Sequence, residues 1–145
     1  MNKDPHYLAL QNMYLAAPIN AFFQPTIDVS EALATIEIDV SEKFFHAAGA
    51  VHGSVYFKML DDAAFFAASS LERDVFVLTT SFNTYLTRPI SAGRIRLVGR
   101  VVNKNKSQFI AEAVAYDADG NEIGRGSGLF MRSKMPLKDA KGFAP

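Results

Sequence analysis

The chain of 145 residues contains no cysteine and no tryptophan. Without cysteine there is no disulfide, no zinc–thiolate centre and no cysteine nucleophile, and a reducing compartment suits the protein. Histidine is scarce: His6, His46 and His52 lie 40 and 6 residues apart. Those intervals match no helical metal-ligand pattern, so no metal site is expected. Long hydrophobic runs are missing too. The stretch Ala63–Ala68 is far too short to span a bilayer, and the start, MNKDPHYLAL, lacks the apolar core of a secretory signal. A cytoplasmic protein with no membrane partner is expected. Net charge is zero, with 15 Lys and Arg against 15 Asp and Glu. That balance argues against a polyanionic partner such as nucleic acid. It hides a split, however. Residues 1–62 carry three bases and eight acids, a net −5, and residues 63–145 carry twelve bases and seven acids, a net +5. A basic half still permits a local anion site.

What is present is an ordinary globular composition, 49% hydrophobic and 21% charged, with 12 phenylalanines. The length suits one domain with an aromatic core. Pro5–Ala17 carries an apolar stripe between two prolines and predicts a short helix that ends before Pro18. Ile19–Pro25 reads as a connector. Ala34–Val40 alternates with period two and predicts a half-buried strand. Ser41–Gly53 is a loop. Ser54–Leu71 has no internal glycine or proline and is apolar on nearly every face, which predicts a buried helix. Beyond Asp74, four stretches are rich in β-branched and aromatic residues: Val75–Arg88, Arg94–Lys104, Phe109–Asp117 and Glu122–Arg132. Turn residues separate them at hairpin spacing. The order predicts an α+β domain, an antiparallel meander wrapped on one central helix. The edges of such a sheet must be covered, charged or paired with another chain. Ser133–Pro145 is basic and turn-rich and is expected to fray.

The stretch from His46 through Gly49, His52, Gly53 and Ser54 to Asp61 and Asp62 is the place where chemistry is expected. It sets a glycine at the start of a buried helix and carboxylates two turns in. A helix N-terminus offers free N–H donors and a partial positive charge, and glycine lets a ligand approach the backbone. Such donors stabilise an oxyanion, and a buried carboxylate serves as nucleophile or general base. Asp61 follows Ser54 by seven residues, about 10 Å along the helix. One chain can hardly aim both groups at one carbonyl. Two antiparallel copies can, so the site is expected at a dimer interface.

The runs AGAVHGSVYFKMLDDAA, NTYLTRPISAGRIRLVGRVV and AYDADGNEIGRGSGLFM resemble those of hotdog-fold thioesterases, of the phenylacetate-pathway type within the 4-hydroxybenzoyl-CoA thioesterase-like superfamily. The family pattern is His-Gly-Gly, a helix, and an Asp eight residues after the first Gly. A strand ending in Arg-Pro, a Gly, and a strand with Gly-Arg-Val follow. Gly53 to Asp61 has that spacing, and Arg88-Pro89, Gly93 and Gly99-Arg100-Val101 come in order. The resemblance spans about residues 26–133, leaving 1–25 as an N-terminal helix and connector and 134–145 as a tail. It implies an acyl-CoA thioesterase with no cofactor besides the coenzyme A of its substrate, active as a homodimer or a dimer of dimers. Asp61 matches the catalytic carboxylate, and Gly53 matches the N–H donor that polarises the thioester carbonyl. His52 matches a loop-shaping or carbonyl-side residue, and Thr79 a hydroxyl that helps place water. His46 falls where relatives carry Asn or Gln. This substitution leaves open an altered pH profile or a lost role. Ser54 replaces the second glycine and is expected to cap the helix.

Plainer readings stand beside these. Lys58 precedes Asp61 and Asp62 by three and four residues and can pair with both, and Asp62 is read as such a structural residue. His6 is expected at the surface. Gly124, Gly126 and Gly128 alternate along the last strand, as a close backbone approach or large neighbours would require. Arg88, Lys104 and Lys106 are either a solvated surface or a grip on coenzyme A phosphates. Two other functions remain open: a non-catalytic hotdog module that binds acyl-CoA, and a hotdog dehydratase of hydroxyacyl thioesters using His52 with Asp61.

Overall fold

A computed structural model describes residues 3–145. Helix α1 spans Pro5–Ala16 and is capped by the Asp4 carboxylate, which accepts the His6 N–H at 2.8 Å. A single turn, α2, covers Asn20–Phe23. Six strands follow: β1 Thr26–Ser30, β2 Leu33–Asp39, β3 Val75–Leu86, β4 Arg94–Lys104, β5 Gln108–Tyr116 and β6 Glu122–Pro136. Between β2 and β3 lies the long helix α3, Gly53–Ser69. All pairings are antiparallel, in the order β1-β2-β4-β5-β6-β3.

The alternation of β2 puts Ala34, Ile36 and Ile38 wholly inside. They meet Met59, Leu60, Ala63, Ala64 and Ala67 of α3 in the same core. Gly99 explains how closely the helix lies on the sheet. A Cβ there would stand 2.1 Å from the Ala63 carbonyl oxygen. The alternating glycines of β6 answer to large neighbours: a Cβ on Gly126 or Gly128 would strike the Phe82 ring at 2.5 or 2.6 Å.

The α+β expectation, with one central helix and a short N-terminal one, holds. Five local readings are corrected. First, the chain forms a strand before Leu33, β1, joined to β2 by the turn Glu31-Ala32, where Ala32 has φ +57°. No glycine or asparagine marks that turn. Ser70 Oγ accepts the Ala32 N–H at 2.8 Å instead, so a distant side chain supplies what turn residues usually do. Second, β3 and β4 are no hairpin. The segment 87–93 crosses the end of the sheet, held by Thr87 and Arg88 N–H on the Ile123 carbonyl and by Val51 N–H on that of Ile90. Strand β3 is thereby delivered to the far edge. Third, the tail is anchored. Strand β6 runs to Pro136, Leu137 is buried, and Asn12 Nδ2 donates to the Ala144 carbonyl at 2.7 Å. Fourth, His6 is buried, its Nε2 donating to the Ser69 carbonyl at 2.9 Å. Fifth, Ser54 does not cap α3; His52 does.

Candidate active site

Two clefts open along α3, one at each end of the proposed chemistry. At the helix start, His52 has extended backbone and its Nδ1 accepts the Ser54 N–H at 3.0 Å. Ser54 Oγ lies 2.8 Å from the same nitrogen. Gly53 is the first helical residue, so its N–H has no partner within the helix. The His46 Nδ1 likewise accepts the Ala48 N–H at 3.1 Å. With both Nδ1 atoms accepting, each neutral ring carries its hydrogen on Nε2. The two rings stand 6.4 Å apart, edge to face. His46, Gly53, Tyr56, Leu86 and Arg88 line a cleft of about 340 Å³. Tyr56 Oη donates to the Arg88 carbonyl at 2.8 Å and ties the end of β3 to the helix.

Two turns further on, Thr79 Oγ1 donates to Asp61 Oδ1 at 2.8 Å. Burial pushes the Asp61 carboxyl up to about 6; the Thr79 hydroxyl counters this, the Asp62 charge adds to it, and Lys58 opposes it. Asp61 and Thr79 border a second cavity, about 380 Å³, walled by Phe65, Phe76 and Leu78 on one side.

Asp62 belongs to a different network. Lys58 Nζ lies 2.5 Å from its carboxylate, Tyr14 Oη donates to it at 2.7 Å, and Lys58 also donates to Asn20 Oδ1 at 2.8 Å. Lys58 therefore pairs with Asp62 and makes no ion pair with Asp61. Burial, then the Asp62 charge, pushes the Tyr14 phenol above its ordinary value, so it stays a donor.

Among the site residues expected from sequence, the fold brings Asp61 to Thr79, and His46, Gly53 and Arg88 to the other cleft, whereas His52 caps the helix and faces a separate cleft with Phe22, Phe44 and Ser54. It does not bring these two groups into one cavity of a single chain. The His52–Asp61 pair of a dehydratase is thus not assembled within one chain. Lys104 and Lys106 sit exposed at the β4–β5 turn. Register carries Lys104 through Phe109 and Phe130 to the level of Thr79, the opposite end of β3 from Arg88. Tyr14, Asn20 and Met13, which complete the Asp61 cavity, were not foreseen. For Met13 and Tyr14 the only signal was the apolar stripe of α1, which specifies burial and not what is covered; Asn20, in the connector, carried none. Among the described residues no cluster of three or more His, Asp or Glu is placed to hold a metal, and no helix is long and apolar enough to cross a membrane.

A sheet wrapped on one helix in this strand order is the hotdog class of fold. Residues 48–123 match the sequence profile of the thioesterase superfamily, and the chain belongs to that superfamily. A protein of Saccharolobus solfataricus named as a candidate esterase is 21% identical over 103 residues, 71% of this chain and 69% of its own length. The E. coli PaaI protein from the phenylacetic acid degradation operon superimposes with a TM-score of 0.80 at 16% identity, over 92% of this chain and 99% of its own. A thioesterase family protein from Silicibacter pomeroyi has a TM-score of 0.74 at 26% identity, over 85% and 96%. The PaaI likeness is one of fold.

Proposed function

We propose that the protein hydrolyses acyl-CoA thioesters at two equivalent sites, each shared between two copies of the chain. The observation that carries this reading is the separation of the two half-sites within one chain. A raised carboxylate with a hydroxyl beside it lies at one cleft, and a helix N-terminus with a free N–H lies at the other. Strand β3 supplies the means of joining them. It forms a sheet edge, paired among the described residues with β6 alone, and Leu78, Tyr85 and Leu86 are all at least half exposed on it. Antiparallel pairing of two such edges sets the Thr79 end of one chain beside the Leu86–Arg88 end of the other. Asp61 then faces the partner's helix start.

In that arrangement the thioester carbonyl accepts the Gly53 N–H, and His46, which lines the same cleft, offers its Nε2–H as a further donor. Asp61, ionised, takes a proton from water as the water oxygen bonds to the carbonyl carbon. The oxyanion so formed rests on the Gly53 N–H. It collapses by breaking the C–S bond, and the thiolate leaves with a proton, giving the free acid and coenzyme A. Direct attack by Asp61 would form an anhydride that water then cleaves; the same residues serve. Arg88 and, from the hairpin turns, Lys104 and Lys106 are the cations offered to the coenzyme A phosphates.

The test is Asp61→Asn, assayed by thiol release from a panel of aryl- and alkyl-acyl-CoAs. The amide cannot accept the proton, so kcat falls by about 10²-fold or more. Undiminished turnover in the purified variant would exclude this mechanism.

A further inference from the structure

The cavity beside Asp61 is not built by the superfamily segment alone. That segment, residues 48–123, supplies the carboxylate and the Phe65, Phe76 and Leu78 side. The facing wall comes from outside it: Met13, Tyr14, Ala17 and Ile19, from α1 and the turn that follows. We infer that this N-terminal segment determines which acyl group the site accepts, closing the cavity to alkyl chains longer than medium length. The inference rests on the thioesterase reading above and assigns a specificity-determining role to residues that touch neither the carbonyl nor the water.

Two observations support it. The first is size. At about 380 Å³ the cavity lies near the lower end of small-molecule sites, roughly 300–1,000 Å³. That accommodates one aromatic ring or a medium alkyl chain. The second is that the wall is fastened. Asp4 pairs with Arg73 at 2.8 Å, His6 donates to the Ser69 carbonyl, and Asn12 donates to the Ala144 carbonyl. Tyr14 reaches across to Asp62, its ring 4.9 Å from that of Phe66. Asp62 in turn is held by Lys58, which also binds Asn20 of α2. Asp62 is therefore a positioning residue, one step along the helix from the carboxylate proposed for chemistry. A segment tied at both ends and in its middle forms a fixed wall, and a fixed wall discriminates by length.

Ala17 is the place to alter it. It is the smallest residue of that wall, is only half-buried, and has extended backbone at φ −63° and ψ 128°. Any residue adopts that conformation before a proline, so a larger side chain enters the cavity without backbone strain. Wild type, Ala17→Leu, Ala17→Phe and Met13→Ala would be assayed against acetyl-, butanoyl-, hexanoyl-, octanoyl-, phenylacetyl-, dodecanoyl- and palmitoyl-CoA. In the wild type, kcat/KM should peak below dodecanoyl-CoA. Ala17→Phe should lower it at least about tenfold for the largest accepted acyl group, as a misfit in an apolar pocket does, while the short acyl-CoAs keep their rate. Met13→Ala should shift the optimum to longer chains. An unchanged selectivity ratio in all three variants, or wild-type preference for palmitoyl-CoA, would overturn the inference. If the wild type turns over none of the panel, the thioesterase reading is what fails. The wall is then tested by calorimetric titration with octanoate and phenylacetate. Weaker binding to Ala17→Phe at unchanged melting temperature supports its role, and equal affinity refutes it.

Discussion

At the residue scale the structure turns on Asp61. Its position eight residues beyond Gly53 was legible because a helix converts spacing into direction. Its environment was not legible, since the Thr79 hydroxyl arrives from a strand eighteen residues away. Burial holds the carboxyl at about 6 in the folded chain, against 3.8 as its ordinary value. Two outcomes follow. The ionised form is the one that accepts a proton, so kcat/KM should rise with pH along a limb centred near 6 and level off above it. The partner's helix N-terminus, if it approaches, moves that limb downward through its positive end. A rate–pH profile on the best substrate checks this, and a profile flat between pH 4 and 8 contradicts it. The second outcome concerns stability. A carboxyl raised on folding binds its proton more tightly in the native state, so its contribution to stability falls as pH rises from about 4 to about 6. Above that window the buried charge is a standing cost, about 1–2 kcal/mol once its partial exposure is discounted. Asp61→Asn should therefore melt higher than wild type at pH 8, with the gap closing below pH 4. A lower melting temperature at pH 8 would contradict it. The histidines show the limit of residue-level reading. His6 looked superficial in sequence because a single histidine on an amphipathic helix carries no mark of its partner. Its partner, the Ser69 carbonyl, is at the far end of α3.

At the scale of elements, the long helix and the strands with clean alternation were legible, since each is a local pattern. What was not legible depended on contacts between elements. Strand β1 was hidden because its turn is stabilised by Ser70 and not by turn residues. The path from β3 to β4 read as a hairpin because Pro89 and Gly93 have turn chemistry whichever strand comes next. The tail read as frayed because its anchors, Asn12 and the core around Leu137, are remote in sequence. Gly99 gives the most direct test of how the elements fit. The site depends on α3 lying flush against β4, since that fixes where both helix start and Asp61 stand. A methyl group on Gly99 meets backbone atoms of Ala63 and Ala64 at 2.1 to 2.7 Å, and backbone in mid-helix cannot turn aside. Gly99→Ala should cost about 3 kcal/mol or more, at or beyond the upper end of overpacking effects, read by urea denaturation. It should also depress activity more than the loss of folded protein accounts for. A variant as stable as wild type would show that the sheet yields there.

For the whole molecule, the −5 and +5 halves of the chain meet in a few ion pairs across the fold. Arg73 pairs with Asp4, and Arg94 with Glu37 and Asp39, across the division. Arg125 and Arg132 pair with Glu122 and Glu72 within the basic half. Arg88, Lys104 and Lys106 form no ion pair among the described residues. They lie at opposite ends of the strands, and the antiparallel pairing of two chains proposed above would bring them together. The same geometry makes the shared site testable by mixing. Gly53→Pro removes the proposed oxyanion N–H while leaving the helix intact, because proline is favoured at the first helical position and His52 already has the extended backbone a following proline needs. A Cβ at residue 53 would stand 2.9 Å from the end of the Leu86 side chain, which has to give way. Alone, Gly53→Pro and Asp61→Asn should each be nearly inactive. Unfolded together and refolded, they form mixed dimers in which one of two sites holds both native groups, so about a quarter of wild-type activity per chain should return for a two-fold dimer with random pairing. If each site lay within one chain, every chain in the mixture would lack one essential group and no activity would return. Recovery on mixing therefore separates a shared site from a self-contained one without any knowledge of the acyl group.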